Sequence, residues 1–155
     1  MSIPDNTSLI IGVGNLYRSD DAVGILIARK IKKTVSGNIS VKEQSGEGTS
    51  LMDSWQGYDQ VCIVDAVSSG ASPGSIHRMD ASREVVPSKF FSCSTHDFGV
   101  AEAIEMGRAL GQLPRELLLF GIEGNNFQPG EKMSDEVERA MELVAEEVLQ
   151  LVSSS

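Results

Sequence analysis

The segment Ser8-Leu-Ile-Ile-Gly-Val-Gly-Asn-Leu-Tyr-Arg-Ser-Asp-Asp21 has the form of a strand, a tight loop and the start of a helix. It begins with a nearly unbroken apolar run ending at Val13, which is typical of a strand buried on both faces of a parallel sheet. Ser19 and Asp20 are suitable N-cap residues for the helix, whose apolar positions recur at helical spacing before Gly37. The sequence therefore predicts a β-loop-α unit.

Strands and helices continue to alternate along the rest of the chain. The apolar runs predict strands at 39–43, 59–66, 75–79 and 117–122, and helices at about 49–55, 97–110 and 134–152. The run at 75–79 is the weakest and is a candidate edge strand, whereas residues 81–94 are expected to be irregular because Pro87 interrupts any helix. The alternation predicts a single α/β domain over residues 1–155. We expect a three-layer α/β/α sandwich of the phosphorylase/hydrolase-like kind, with a twisted, mostly parallel sheet of about five strands.

Composition restricts the classes of partner. The chain has a formal net charge of -9 and only 5% aromatic residues. This charge repels the phosphate backbone of nucleic acids and the anionic membrane surface, and few rings are present to stack on bases. No apolar run approaches the roughly 20 residues of a membrane-spanning helix, and the first residues lack a basic, signal-like start. We expect a cytoplasmic protein, a monomer or weak dimer, without nucleic-acid or membrane partners.

Several common motifs are absent or incomplete. Gly12-Val-Gly14 follows a strand, but Tyr17 occupies the position where a dinucleotide-binding fingerprint needs a small residue. Neither a P-loop nor a GxSxG nucleophile elbow is present. Cys62 and Cys93 form no CxxC pattern, and the absence of a cationic neighbour makes a nucleophilic pair of Cys93 with His96 a minor alternative.

Asp21, Asp65 and His96 are the candidate site residues. Asp21 follows the first strand, Asp65 closes the third, and His96 precedes a helix. In open α/β sheets the loops beyond the carboxyl ends of the strands project toward one crevice, so all three residues could share one rim. Two carboxylates and an imidazole suit divalent ions such as nickel, zinc, iron or manganese, with positions left open for water or substrate. Each residue alone also has an ordinary structural explanation, as a helix-start acid, a turn cap or a loop residue.

Other positions are less specific. His77 is interpreted as a surface or cross-strand residue rather than a ligand, and Glu123 could approach the same rim as the candidate site. Asn15 could fix the first loop through side-chain hydrogen bonds. Phe90-Phe91 fits either core burial or a partner surface.

At these residues the chain resembles the nickel-iron hydrogenase maturation endopeptidase family over almost its whole length. The resemblance rests on Gly12-Val-Gly-Asn15 with Asp20-Asp21 and Gly24, Ile63-Val-Asp-Ala66 with Pro73-Gly74 after it, Thr95-His96, and Phe120-Gly-Ile122. It implies a twisted sheet between helices, like the fold predicted above. It also implies that the partner is a hydrogenase large-subunit precursor, from which family members remove a C-terminal extension after nickel insertion.

The resemblance further implies roles for individual residues. Asp21, Asp65 and His96 would be both the catalytic set and the nickel-contacting set, with nickel brought by the substrate and other divalent ions able to occupy the isolated site. The substrate would be contacted by Asn15, Gly46, Glu47 and Gly48, where glycines let a backbone approach closely. The loop Gln44-Ser-Gly-Glu-Gly48 departs from the Asp-Gly-Gly of many members, which leaves the recognised precursor open.

Two other function classes remain open on the sequence. The first is a nickel-binding assembly factor that uses the same three residues without proteolysis. The second is a nucleotide- or sugar-binding α/β enzyme, which the missing phosphate-binding motifs make unfavourable.

Overall fold

The computed structural model describes residues 7–92 and 94–153, and these form a five-stranded sheet with α-helices on both faces. The strands are β1 (Ser8–Val13), β2 (Ile39–Gln44), β3 (Gln60–Val67), β4 (Ile76–Asp80) and β5 (Glu116–Glu123). The α-helices are α1 (Val23–Lys32), α2 (Gly48–Trp55), α3 (Val100–Ala109) and α4 (Asp135–Ser153). Short 3₁₀ helices cover Ser19–Ala22 and Ser88–Phe91.

The sheet has the order β2-β1-β3-β5-β4. Pairs β1–β2, β1–β3 and β3–β5 are parallel, and β4 is antiparallel to β5 at the edge. This arrangement confirms the predicted mostly parallel sheet and the edge position of the weakest strand. Because β1 and β3 are adjacent and parallel, the residues that follow them lie at the same end of the sheet.

Two apolar cores cover the two faces of the sheet, because successive strand side chains point to opposite sides. One core joins α2 and α3 to the sheet and includes Leu9, Ile11, Ile63, Leu119, Leu51 and Ile104. The other joins α1 and α4 to the opposite face and includes Ile10, Val64, Ile122, Ile27 and Val144. The predicted three-layer sandwich is therefore confirmed.

Glycines bring α1 close to the strands beneath it. A Cβ atom at Gly24 would lie only 2.3 Å from the carbonyl oxygen of Val13 and 2.4 Å from that of Val64. A Cβ atom at Gly12 would lie 2.2 Å from the carbonyl oxygen of Gly24. Only glycine allows this backbone approach at both positions. The contact fixes the start of α1 against the carboxyl-terminal parts of β1 and β3.

The predicted capping of this helix was wrong. The α-helix begins at Val23 after the 3₁₀ turn, and neither element has a side-chain cap hydrogen bond at its N-terminus. Ser19 and Asp20 instead bind the segment 125–134, which is remote in sequence. The helix also ends at Lys32, before the predicted stop at Gly37.

The other elements lie close to their predicted positions. The largest difference is at α3, which begins at Val100 rather than at 97. The side chain of Glu102 accepts a hydrogen bond from the N–H of Gly99, the residue just before this helix. The stretch expected to be irregular contains the 3₁₀ helix that follows Pro87. Within the two ranges described, no helix is long and apolar enough to cross a membrane.

Candidate active site

A cavity of about 300 Å³ lies at the carboxyl ends of β1 and β3 and contains Asp21, Asp65 and His96 on its wall. The structure thus brings the three predicted residues to one cavity, and the adjacent parallel strands β1 and β3 account for the positions of Asp21 and Asp65. The rest of the wall comes from Val13, Gly14, Asn15, Leu16, Tyr17, Arg18, Ile25, Ser45, Gly46, Phe91, Ser94, Thr95 and Val100. It combines a carboxylate-bearing part with an apolar part.

Asp65 is the most buried polar group of the cavity. It lies in β3 opposite Gly121 of β5, and only 6% of the residue is exposed. Burial raises the pKa of Asp65 well above its ordinary value, the charge of Asp21 raises it further, and a backbone hydrogen bond from Ala66 only partly opposes this. Asp65 therefore holds its proton more tightly than an exposed aspartate does.

Asp21 lies in the 3₁₀ turn before α1. Burial raises the pKa of Asp21 to about 6, although the positive charge of Arg18 and a backbone hydrogen bond from Asn15 act in the opposite direction. Its carbonyl oxygen accepts a hydrogen bond from the Asn15 N–H at 3.1 Å. A Cβ atom at Gly14 would lie 2.0 Å from that oxygen, so this tight loop requires glycine.

His96 belongs to the loop between Ser94 and α3 and is half-buried. Its backbone N–H donates to the Ser94 hydroxyl at 3.2 Å. The ring lies beside Gly46, since a Cβ atom built on Gly46 would be 3.8 Å from Cδ2 of His96. Glycine is favoured at position 46 because its φ is +98° and a Cβ atom would lie 3.1 Å from Cγ1 of Val13.

The donor chemistry of these residues fits a divalent cation, because a cation would stabilise the ionised form of both buried carboxyl groups. The resting arrangement is nevertheless not a complete cage. Across residues 7–92 and 94–153, no group of three His, Cys, Asp or Glu side chains is placed to hold a metal ion. An incoming ion would need further ligands from elsewhere or a rearrangement of the cavity wall.

The predicted substrate-binding residues separate into two pairs. Asn15 and Gly46 line the cavity, whereas Glu47 and Gly48 do not. The Glu47 carboxylate caps α2 by accepting the N–H groups of Thr49 and Ser50, and these bonds lower the pKa of Glu47 to about 2. Gly48 packs against Phe98, whose Cδ2 atom would lie 2.3 Å from a Cβ atom at this position. Both residues thus have structural explanations.

The structure also locates the residues whose roles the sequence left less specific. His77 is a cross-strand residue, as predicted: its Nε2 atom lies 3.1 Å from Oε1 of Glu123, and its ring lies 5.1 Å from that of Phe90. Glu123 binds this histidine and does not line the cavity. Phe91 is 8% exposed and belongs to the core as well as to the cavity wall. The alternative nucleophile, Cys93, lies outside the described residues.

Sequence reasoning missed the other residues of the first loop. Leu16, Tyr17 and Arg18 line the cavity between two residues that were recognised, Asn15 and Asp21. Their position inside one short loop was the available signal. Their side chains carried no recognised chemical motif, so nothing else distinguished them.

Asp20 was also misinterpreted, because it anchors this loop rather than capping α1. It is fully buried, and its carboxylate accepts the backbone N–H groups of Asn125 and Asn126 at 2.7 and 2.8 Å. It also accepts the N–H and the hydroxyl of Ser134 at 2.7 and 2.8 Å. These bonds tie the loop that carries Asp21 to the segment between β5 and α4.

Comparison with known proteins gives one consistent result. The family model for hydrogenase maturation proteases matches residues 25–151. The hydrogenase 2 maturation protease of Escherichia coli strain K12 is 28% identical over 151 residues, which cover 95% of this chain and 91% of that protein. The hydrogenase expression/formation protein HupD of Thiocapsa roseopersicina is 27% identical over 156 residues, which cover 92% of this chain and 69% of that protein.

Solved structures agree with the fold. The hydrogenase maturating endopeptidase HybD from Escherichia coli superposes with a TM-score of 0.76 at 20% identity, covering 95% of this chain and 92% of that one. An endopeptidase from Escherichia coli superposes with a TM-score of 0.78 at 26% identity, covering 91% of this chain and 88% of that one. The predicted α/β fold and the family resemblance are thereby confirmed.

Proposed function

We propose that this chain, which belongs to the hydrogenase maturation protease family, removes the C-terminal extension of a nickel-iron hydrogenase large-subunit precursor after nickel insertion. The observation that carries the proposal is the convergence of Asp21, Asp65 and His96 on one cavity. Nickel belongs to the substrate in this proposal and acts as its recognition element.

The incomplete ligand geometry supports delivery of nickel by the substrate. A permanent metal cofactor needs a ligand cage in the resting protein, and none is formed by the described residues. A nickel ion already held by the precursor would bring its own ligands. The protein would then need to contact only the open side of the nickel coordination shell. Asp21, Asp65 and His96 would make that contact, so a precursor without nickel would lack the feature that they recognise.

The same residues can support hydrolysis of a peptide bond. A water molecule attacks the scissile carbonyl carbon, and the carbon–nitrogen bond breaks when the leaving amine receives a proton. One of the two aspartates takes the proton from the water and returns it to that amine. Nickel in the precursor stabilises the developing negative charge on the carbonyl oxygen.

The deciding experiment compares nickel-loaded with nickel-free precursor by intact mass spectrometry after incubation with the protein. We expect loss of one C-terminal peptide from the loaded precursor alone. Asp65→Asn and His96→Ala should leave the precursor intact, whereas Leu143→Ala, a change at an exposed position on α4, should process it normally. Equal cleavage of both precursors would exclude nickel as the recognition element, and failure to cleave any nickel-loaded large-subunit precursor of the same organism would exclude the protease function.

The alternative of a nickel-binding assembly factor without proteolysis makes a different prediction. Such a carrier must bind nickel tightly in the absence of the precursor. The lack of a complete cage in the described residues makes tight binding unfavourable. Tight nickel binding by the isolated protein in calorimetry, with an unchanged precursor mass, would favour the carrier.

A further inference from the structure

We infer that Tyr17 is a docking residue that contacts the precursor polypeptide next to the scissile bond, an inference that rests on the proposed function. Tyr17 lies on the cavity wall, and 80% of the residue is exposed. Exposed apolar side chains that stand alone are common and need no function. The surroundings of Tyr17 distinguish it from those.

The first distinguishing feature is that Tyr17 shares the cavity wall with other apolar residues. Leu16, Ile25, Phe91 and Val100 line the same cavity. Val85 and Leu143 are also highly exposed, at 70% and 60%, but neither belongs to this wall. A substrate in the cavity would therefore have apolar side chains as well as Tyr17 among its possible contacts.

The second feature is the anchored backbone beneath the ring. The N–H of Tyr17 donates to Oδ1 of Asn15 at 2.9 Å, and the carbonyl of Tyr17 accepts the N–H of Gly130 at 3.0 Å. The next residue, Arg18, donates from Nε to the carbonyl of Phe127 at 3.3 Å. These bonds act together with the Asp20 anchor described above. Because hydrogen bonds already hold this backbone, binding at Tyr17 has little conformational entropy of the loop to overcome.

The proposed function makes a polypeptide the occupant of this cavity. A space of about 300 Å³ holds only a small part of an extended chain. A polypeptide must leave the cavity on at least one side, and the largely exposed Tyr17 side chain on the cavity wall is accessible to an apolar part of that chain.

Steady-state kinetics with the nickel-loaded precursor test the inference. Tyr17→Ala should raise KM about tenfold with kcat changed less than about twofold, because the ring contributes to docking and not to the chemical step. Tyr17→Phe should recover most of the lost affinity since it keeps the ring. Leu143→Ala is the matched control for the loss of an exposed apolar side chain. An unchanged KM for Tyr17→Ala, with cleavage by the wild type intact, would overturn the inference and leave the proposed function standing.

A fluorescence measurement separates docking from cleavage. The only natural tryptophan, Trp55, is 1% exposed, so Tyr17→Trp adds one solvent-exposed reporter. Its emission should shift to shorter wavelength when nickel-loaded precursor is added, and no such shift should occur with Leu143→Trp. A shift without cleavage by the wild type would support docking at Tyr17 and contradict the protease function. Absence of both binding and cleavage would overturn both proposals.

Discussion

Asp20 and Ser134 are joined by two hydrogen bonds across 114 positions of sequence, one from the backbone N–H of Ser134 at 2.7 Å and one from its hydroxyl at 2.8 Å. Ser134 immediately precedes α4, and Asp20 immediately precedes the cavity residue Asp21. The contact therefore connects the start of the last helix to the loop that forms one wall of the candidate active site.

Asp20→Ala should destabilise the protein strongly. The change removes the acceptor of hydrogen bonds from Asn125, Asn126 and Ser134 and leaves their donors without this partner. We expect the free energy of unfolding to fall by about 3 kcal/mol, because a fully buried side chain that accepts four hydrogen bonds is lost. Urea denaturation monitored by circular dichroism measures this change.

Asp53→Ala is the matched control, because Asp53 is an exposed aspartate on α2. It should change the free energy of unfolding by less than about 0.5 kcal/mol. Equal denaturation midpoints for the two variants would contradict the anchoring role of Asp20.

The neighbours Asp20 and Asp21 show how far sequence reasoning reaches. Their shared position before a helix predicted a cap and a possible ligand, and Asp21 does line the cavity with Asp65 and His96. The convergence of Asp21 and Asp65 was predictable because neighbouring parallel strands end at one edge of a sheet, whereas His96 follows no parallel strand and strand order does not explain its position. The partner of Asp20 was not predictable, since Ser134 is distant in sequence and carries no pairing motif.

The strands and the loop side chains show the same difference in predictability. The apolar runs of β1, β3 and β5 identified the central strands because burial on both faces leaves a local compositional signal. Glu47 was predicted to contact substrate, yet its carboxylate caps α2 within three residues. A polar side chain in a glycine loop has several possible partners, and only the three-dimensional structure selects one.

Asp21→Asn and Asp65→Asn should stabilise the protein at neutral pH while abolishing processing. Burial raises the pKa of both carboxyl groups, so the folded state holds their protons more tightly than the unfolded state does. At acidic pH both states are protonated, no charge is buried, and the stability supplied by protonation is fully present. As pH rises through about 6, the folded pKa of Asp21, the stability that protonation supplied is lost.

The gain should consequently depend on pH. Asp21→Asn should raise the free energy of unfolding by about 1 kcal/mol at pH 7.5, after allowance for partial exposure, with little gain near pH 4. Asp65→Asn should give the larger gain because Asp65 is more buried. Chemical denaturation at the two pH values measures both effects. An equal change at the two pH values would show that ionisation of the aspartate is not the cause.

Glu123→Gln should have the opposite pH dependence. Glu123 is 2% exposed and accepts the N–H and hydroxyl of Ser69 at 2.8 and 2.6 Å. Burial alone would raise the pKa of Glu123, but hydrogen bonds from Ser69 and His77 outweigh it and lower the pKa below its ordinary value. The stability supplied by its charge is therefore present above the unfolded pKa and is lost as pH falls through the lower folded pKa.

We expect Glu123→Gln to lower the free energy of unfolding by about 1 to 2 kcal/mol at pH 7, with a smaller difference near pH 3. Glu146→Gln, at an exposed position on α4, is the control and should have little effect at either pH. The experiment is a series of urea denaturations between the two pH values. A loss of stability for Glu123→Gln that grows toward acid would contradict the assignment.

Gly24→Ala should disrupt both stability and the candidate site. The added methyl group would lie 2.3 and 2.4 Å from the carbonyl oxygens of Val13 and Val64, which are backbone atoms of two central strands. Those oxygens cannot rotate away as a side chain could, so α1 must move outward, and we expect a loss of about 3 kcal/mol or more. Gly57→Ala is the control: it is strained by a φ of +85° but meets no atom within 4 Å, and should lose only about 1 kcal/mol. Thermal denaturation ranks the two variants.

Because Asp21 lies just before α1, Gly24→Ala should also slow precursor processing at temperatures where the variant remains folded. Normal processing and stability would show that the close approach of α1 to the sheet is not needed to position Asp21.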